Sequence, residues 1–278
     1  MESLQKLLPP RPVAAEFNID DPAEILHEQT KFHRLTMAGL AKSVARYLHH
    51  PAYIARGVAG FNHYDASPVI TLPAPTMDIG SLADALSRRK SARQFAHGIS
   101  SRELSSLLHH AVRVNRYANS NAAPHLKLSF RPYPSPGGLY PTEFYLLINS
   151  VEGIAPCIAH YDAREHCLRR LQNQDGKAFS QVEVRSCEDG IDAPLMIVIT
   201  SVPQRATTKY GARGYRMAML EAGHASQNLC LAAQGLGLGS LVYGAYYDDE
   251  LAQLLHIDGV TETVVSVILI GKDMGCVK

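Results

Sequence analysis

Three segments of this 278-residue chain carry residue types that could do chemistry. The first is Arg88-Arg89-Lys90-Ser91-Ala92-Arg93-Gln94-Phe95, which gathers four cations and a hydroxyl. On composition it is a solvated charge run or a phosphate clamp; a planar guanidinium grips phosphate oxygens in pairs, and serine adds a neutral donor. The second is Arg131-Pro132-Tyr133-Pro134-Ser135-Pro136-Gly137-Gly138-Leu139-Tyr140-Pro141-Thr142-Glu143. Its prolines fix an irregular backbone, and its glycine pair lets a flat ligand approach the main chain; a plain turn before a strand fits equally well. The third runs from Lys209-Tyr210-Gly211-Ala212-Arg213-Gly214-Tyr215-Arg216 into Glu221-Ala222-Gly223-His224 and Asn228. Glu221, His224 and Asn228 fall at i, i+3 and i+7 on one helix face, so this polar seam must find partners. A hydrogen-bond network facing a second subunit is the expectation for it.

Other chemistries are poorly supported. The five cysteines, Cys157, Cys167, Cys187, Cys230 and Cys276, follow neither a zinc spacing nor a dense disulfide framework, and buried free thiols are expected. The adjacent pairs His49-His50 and His109-His110 point to different helix faces, so no metal site is expected. With 27 Lys+Arg against 26 Asp+Glu, the chain lacks the basic excess that a nucleic-acid surface needs. No apolar run approaches the ~18 residues of a membrane span, and the start does not read as a signal peptide, so a cytoplasmic protein is expected.

Residues 1–80 read as an arm or cap with a helix-compatible stretch from Pro22 to about Leu48, and residues 81–278 as the main domain. Ser81-Leu82-Ala83-Asp84 and Ser100-Ser101-Arg102-Glu103 look like capped helix starts, the latter followed by a buried stripe of Leu104, Leu107, Leu108, Ala111 and Val112. Phe144–Ile148, Leu195–Thr200 and Val264–Ile270 are apolar almost throughout, as in strands covered on both faces. A long helix is expected over Tyr215–Gln234, ending at Gly235, Gly237 and Gly239.

At these segments the chain resembles the flavin-dependent nitroreductase superfamily. Within it, the likeness is to the SagB-type dehydrogenases that oxidise thiazolines and oxazolines to thiazoles and oxazoles. The resemblance runs in order over residues 82–272 and includes Arg88-Arg89-x-Ser91-x-Arg93-x-Phe95, the loop ending Leu139-Tyr140-Pro141-x-Glu143, Lys209-Tyr210, and Glu221-Ala222-Gly223-His224. His27-Glu28-x-Thr30-Lys31 in the arm is similar to the amino-terminal signature of such enzymes. It implies an α+β nitroreductase-like fold, a central mostly antiparallel sheet flanked by helices, in a homodimer whose long interface helix is the one at 215–234. It also implies FMN, held between two subunits. Arg88, Arg89, Ser91 and Arg93 would take the phosphate and ribityl chain, with Lys272 reaching the phosphate. Pro134, Ser135, Gly137 and Gly138 would lie against the isoalloxazine, and Gly237 to Gly239 would approach from the other side. Pro136 and Gly138 depart from the family's Gly and Ala, and Pro136 has no N–H to offer a flavin.

Lys209 and Tyr210 match the pair to which the azole-forming branch's catalytic base is assigned. Aromatising an azoline removes a hydride and a proton from neighbouring positions, so a positioned base is required. A lysine serves when burial or nearby cations bring its pKa below ~10.4, and Arg213 and Arg216 are the neighbouring cations in sequence. The substrate implied is an azoline on a peptide or carrier protein, presented by a cyclodehydratase or synthetase partner. Two alternatives stand beside it: an NAD(P)H-dependent nitroreductase acting on small aromatic substrates, and a non-enzymatic flavin-binding subunit that scaffolds a complex.

Overall fold

The computed structural model describes residues 20–34, 37–96, 98–121, 123–173, 179, 182 and 192–275. Its strands are β1 (Val69–Thr71), β2 (Phe95–Ala96), β3 (Arg116–Asn119), β4 (Lys127–Phe130), β5 (Thr142–Ile148), β6 (Cys157–Asp162), β7 (Cys167–Gln172), β8 (Leu195–Ser201), β9 (Gly239–Tyr243) and β10 (Thr263–Asp273). Its helices are α1 (Pro22–Gln29), α2 (Met37–His49), α3 (Pro51–Val58), α4 (Leu82–Arg88), α5 (Ser101–Ala111), α6 (Gln204–Tyr210), α7 (Arg213–Gly235) and α8 (Asp248–Leu254).

The three apolar runs become the centre of one antiparallel sheet, ordered β1-β7-β6-β5-β8-β10-β2 with β9 also paired to β10. Alternation along each strand divides the core in two. Phe144, Leu146, Ile148, Ile197, Ile199, Ile268 and Ile270 face α5 and α7, where the whole Leu104–Val112 stripe is buried. Tyr145, Leu147, Met196, Val198, Val267 and Leu269 face the opposite side with Leu251 and Leu255. The α+β fold with a mostly antiparallel sheet flanked by helices is therefore the observed one. β3 and β4 form a separate ribbon.

Both expected caps form. Ser81 accepts from the Asp84 amide, and Ser100 with Glu103 closes a full capping box, the Glu103 carboxylate accepting from the Ser100 amide at 2.6 Å. The helix-compatible stretch from Pro22 to about Leu48 holds two helices. Thr30 ends α1 by donating its hydroxyl to the carbonyls of Leu26 and His27 at 2.6 and 3.1 Å, and α2 begins at Met37. Cys157, Cys167 and Cys230 are free and buried; Cys187 and Cys276 lie outside the described residues. Among the described residues no helix is long and apolar enough to cross a membrane, and no cluster of His, Cys, Asp or Glu is placed to hold a metal.

One buried charge fastens the arm to this sheet. Glu143 on β5 is 1% exposed and accepts from Arg205 Nη1 at 2.6 Å, His160 Nε2 at 2.9 Å and the Asn62 amide at 2.9 Å. Asn62 also donates to Tyr145 and to Glu262, which accepts from Tyr145 and Thr200. Burial pushes the Glu143 pKa up, but Arg205, His160 and Arg131 outweigh it and bring the carboxyl down to about 2. A carboxyl whose folded pKa lies below its unfolded value stabilises the fold fully above the unfolded value and loses that contribution as pH falls through the folded one. Stability should therefore drop by about 3 kcal/mol as pH falls from about 4.5 towards 2. Acid-dependent chemical denaturation checks this: Glu143→Gln should be less stable at pH 7 and should lack that part of the acid limb.

Candidate active site

The short helix α6 carries Arg205 and Lys209 one turn apart on one side. Arg205 fixes the helix, since its guanidinium also donates to the Tyr140 carbonyl at 3.2 Å and to Asn62 Oδ1 at 2.9 Å. Lys209 is thereby turned inward and is 6% exposed. Its Nζ lies 5.1 Å from the ring centres of both Tyr47, on α2, and Tyr210. Among the described residues no carboxylate lies within ion-pair distance of Lys209.

Across from it the proline-glycine loop makes a tight turn at Pro136–Gly138, and Gly137 adopts φ 63°. A Cβ placed on Gly137 would stand 2.6 Å from Tyr210 Oη and 2.7 Å from Lys209 Nζ, so only glycine lets the turn come this close. Gly138 and Leu139 use their amides inside the turn, donating to the Ser135 and Pro136 carbonyls. A cavity of about 510 Å³ opens between this turn and the arm, lined by Tyr47, Ile54, Asn121, Leu128, Gly137 and Lys209 among others. Tyr210 also lines a second cavity on the α1 side, with Phe32 and Arg213. Sequence reasoning missed Tyr47, because a lone tyrosine on an amphipathic helix carries no local signal of what it will face.

Two members of the polar seam of α7, Glu221 and Asn228, find partners within their own chain, and His224 stays exposed. Glu221 is fully buried, accepting from the Thr142 hydroxyl at 2.7 Å and the Thr142 amide at 3.3 Å. Asn228 donates to the carbonyls of Ala111 and Pro132, and His224, exposed, sits 3.4 Å from the Pro134 carbonyl. The seam therefore anchors the Pro132–Thr142 segment of its own chain. Burial pushes the Glu221 pKa up against the opposing pull of Ser135, Thr142 and Arg131, and its second carboxyl oxygen finds no hydrogen bond. Arg213 and Arg216 do not face Lys209. They donate to the Thr30 carbonyl at 3.1 Å and the His27 carbonyl at 2.9 Å, clasping the end of α1. The His27-Glu28-x-Thr30-Lys31 stretch is thus the seat of this clasp.

The remaining site residues collect elsewhere. Ser91 bridges Ser240, the Ala92 amide donates to the Ser240 carbonyl at 3.0 Å, and Gly239 packs on Ala92 and Asp273, so Arg88–Arg93 runs beside the Gly237–Gly239 turn. Lys272 on β10 pairs with Ala96 just beyond that segment. Arg88 pairs with Asp84 and Lys90 with Asp273, whereas Arg89, Arg93 and Lys272 have no carboxylate partner among the described residues. This cation group lies towards the Gly235 end of α7. The segment that carries the glycine turn packs instead against the Glu221–Asn228 stretch of α7, and Lys209 and Tyr210 precede the start of that helix.

The nitroreductase family profile matches residues 86–272. The chain belongs to the nitroreductase family. A Methanocaldococcus jannaschii protein named as a nitroreductase is 31% identical over 185 residues, covering 66% of this chain and 88% of that protein. The microcin B17-processing protein McbC of Escherichia coli is 30% identical over 133 residues, covering 46% of this chain and 49% of McbC. The fold is also that of a chain in the E. coli microcin synthetase McbBCD complex with truncated pro-MccB17 bound, with TM-score 0.58 and 23% identity, over 89% of this chain and 97% of that one. Residues 86–272 are about two thirds of the chain, so the last match takes in part of the arm.

The Gly137 contact is testable by substitution. Gly137→Ala and Gly138→Ala both force a side chain onto left-handed backbone, at ~1–2 kcal/mol each. Only the first also collides with Lys209 and Tyr210, since a Cβ on Gly138 meets Phe130 at an ordinary 3.5 Å. Because those atoms are side-chain ends that can shift, the two variants should lose similar stability in urea denaturation, while only Gly137→Ala displaces the Lys209 amine and should slow turnover.

Proposed function

We propose that this nitroreductase-family protein is an FMN-dependent dehydrogenase that converts thiazoline or oxazoline rings, borne on a peptide or carrier protein, into thiazoles or oxazoles. The observation that carries this reading is the placement of Lys209 and Tyr210. A buried amine, with no carboxylate partner among the described residues, meets the glycine turn at the wall of a cavity, and the Tyr210 phenol, which borders a second cavity, meets the same glycine. Nitro-group reduction has no need of a buried amine; aromatisation of an azoline needs a base. The fold likeness to the McbBCD chain and the sequence likeness to McbC support the same direction.

The residues fit FMN. Arg89, Arg93 and Lys272, cations with no carboxylate partner among the described residues, beside the Ser91 hydroxyl and Arg88, suit one phosphate group, and the turn of Pro134, Ser135, Gly137 and Gly138 suits a flat ring, with Gly237 and Gly239 bordering the cation group. FMN supplies the hydride acceptor and is reoxidised by oxygen. Lys209 Nζ takes the proton from the adjacent ring carbon, and the electron pair of that C–H bond becomes the new ring double bond as the hydride departs. Tyr210 Oη, next to the same glycine, keeps a polar group beside the amine. The cation group lies by the Gly235 end of α7 and the turn's segment against its Glu221–Asn228 stretch, and Tyr215 and Leu220 of that helix are exposed, so a homodimer that pairs one subunit's cations with its partner's turn would complete the site. A cyclodehydratase or synthetase is the kind of partner that would present the substrate. The M. jannaschii relative favours a second reading, an NAD(P)H-dependent nitroreductase, which steady-state NAD(P)H oxidation with small nitroaromatics would reveal.

The purified protein should be yellow and release FMN. Arg89→Ala, losing charge-assisted bonds of ~1.5–3 kcal/mol each, should retain visibly less of it in absorbance titration. FAD in place of FMN, or no flavin after reconstitution, contradicts the cofactor assignment.

Lys209→Ala and Tyr210→Phe should keep fold and flavin yet slow azole formation by ~10²–10⁴-fold. Mass spectrometry reads this directly, as two hydrogens are lost per ring, and parent rates in the double variant would remove the base.

A further inference from the structure

Tyr47 is 8% exposed and is the buried residue of α2. Its hydroxyl abuts Gly57 on α3, where any Cβ would collide with it. The α2–α3 pair is therefore shaped around this one side chain, and the ring it positions faces Lys209 Nζ at 5.1 Å. The Tyr210 ring faces the same Nζ at the same distance. Among the described residues, the charged and titratable groups on this side of Lys209 include the two tyrosines, His49 on the cavity wall, Arg56 near the Tyr47 hydroxyl, and Arg205, whose charge is already met by Glu143. An amine that takes up a proton here gains a charge with no carboxylate among the described residues to balance it, and a ring face is the group that attracts such a cation.

We propose that Tyr47 is a positioning residue for Lys209: the arm lays its ring against the amine, so that the ammonium formed by proton uptake is held against two aromatic faces. This rests on Lys209 acting as base. It makes the arm part of the site, although the arm carries none of the residues that hold phosphate or flavin ring. The ring serves and the hydroxyl does not: burial pushes the Tyr47 pKa up to about 12, and no hydrogen bond ties that hydroxyl to Lys209.

The test compares Tyr47→Phe, Tyr47→Leu and Gly57→Ala in the full flavin-loaded chain. Phe should act like the parent. Leu should lower the turnover number by about 2- to 30-fold with little change in KM, and should move the basic group's limb of the pH–rate profile about 0.4–1.5 units lower. Gly57→Ala displaces the ring through the collision at its hydroxyl and should act like Leu. In the Lys209→Ala background, Tyr47→Leu should have no further effect. A side-chain NMR titration of Lys209 in the flavin-free chain should show the same downward shift. Three results overturn the proposal: equal damage by Phe and Leu, full additivity with Lys209→Ala, or a pH limb that stays in place. An unimpaired Lys209→Ala overturns instead the base assignment on which it rests.

Discussion

A negative charge in the middle of a sheet decides how this site is built. Glu143 cannot remain ionised on a buried strand without partners, and removing one partner of such a charge destabilises strongly. The partners it recruits come from three places: Arg205 on α6, His160 on β6 and the Asn62 amide at the end of the arm. Arg205 then reaches the Tyr140 carbonyl just after the glycine turn. Neutralising one carboxylate thus sets the turn, the arm and α6 in mutual register. Lys209 lies one helical turn beyond Arg205 on the same side, so its inward direction follows from that register.

How much of this could be read from the residues depended on whether the information was local. Phe144–Ile148 and its two companions could be assigned because an unbroken apolar run has few other uses, and the Ser100–Glu103 box because both of its halves lie within one turn. The Glu221–Asn228 seam shows the boundary. Its spacing required partners, but whether they lay in the same chain or a second one depended on where the Pro132–Thr142 segment packs, which no spacing encodes. Arg213 and Arg216 stand close to Lys209 in sequence, yet they fall on the next helix and reach the end of α1. Tyr47 lies far off in sequence and turns out to touch the amine.

The arrangement also separates two tasks that flavin chemistry combines. Cations with no carboxylate partner among the described residues gather beside β9 and β10, while the amine, two phenols and the glycine turn gather under the arm. A cation group alone is suited to hold a phosphate and says nothing about the reaction. The second group differs in kind: its amine and Tyr47 are buried, no carboxylate pairs with the amine among the described residues, and α2 and α3, outside the span that the family profile matches, close it on one side. The arm therefore bears on function more directly than on cofactor binding. On the proposed reading, a chain that kept the cation group but lost the arm's aromatic wall would retain flavin and lose azole formation.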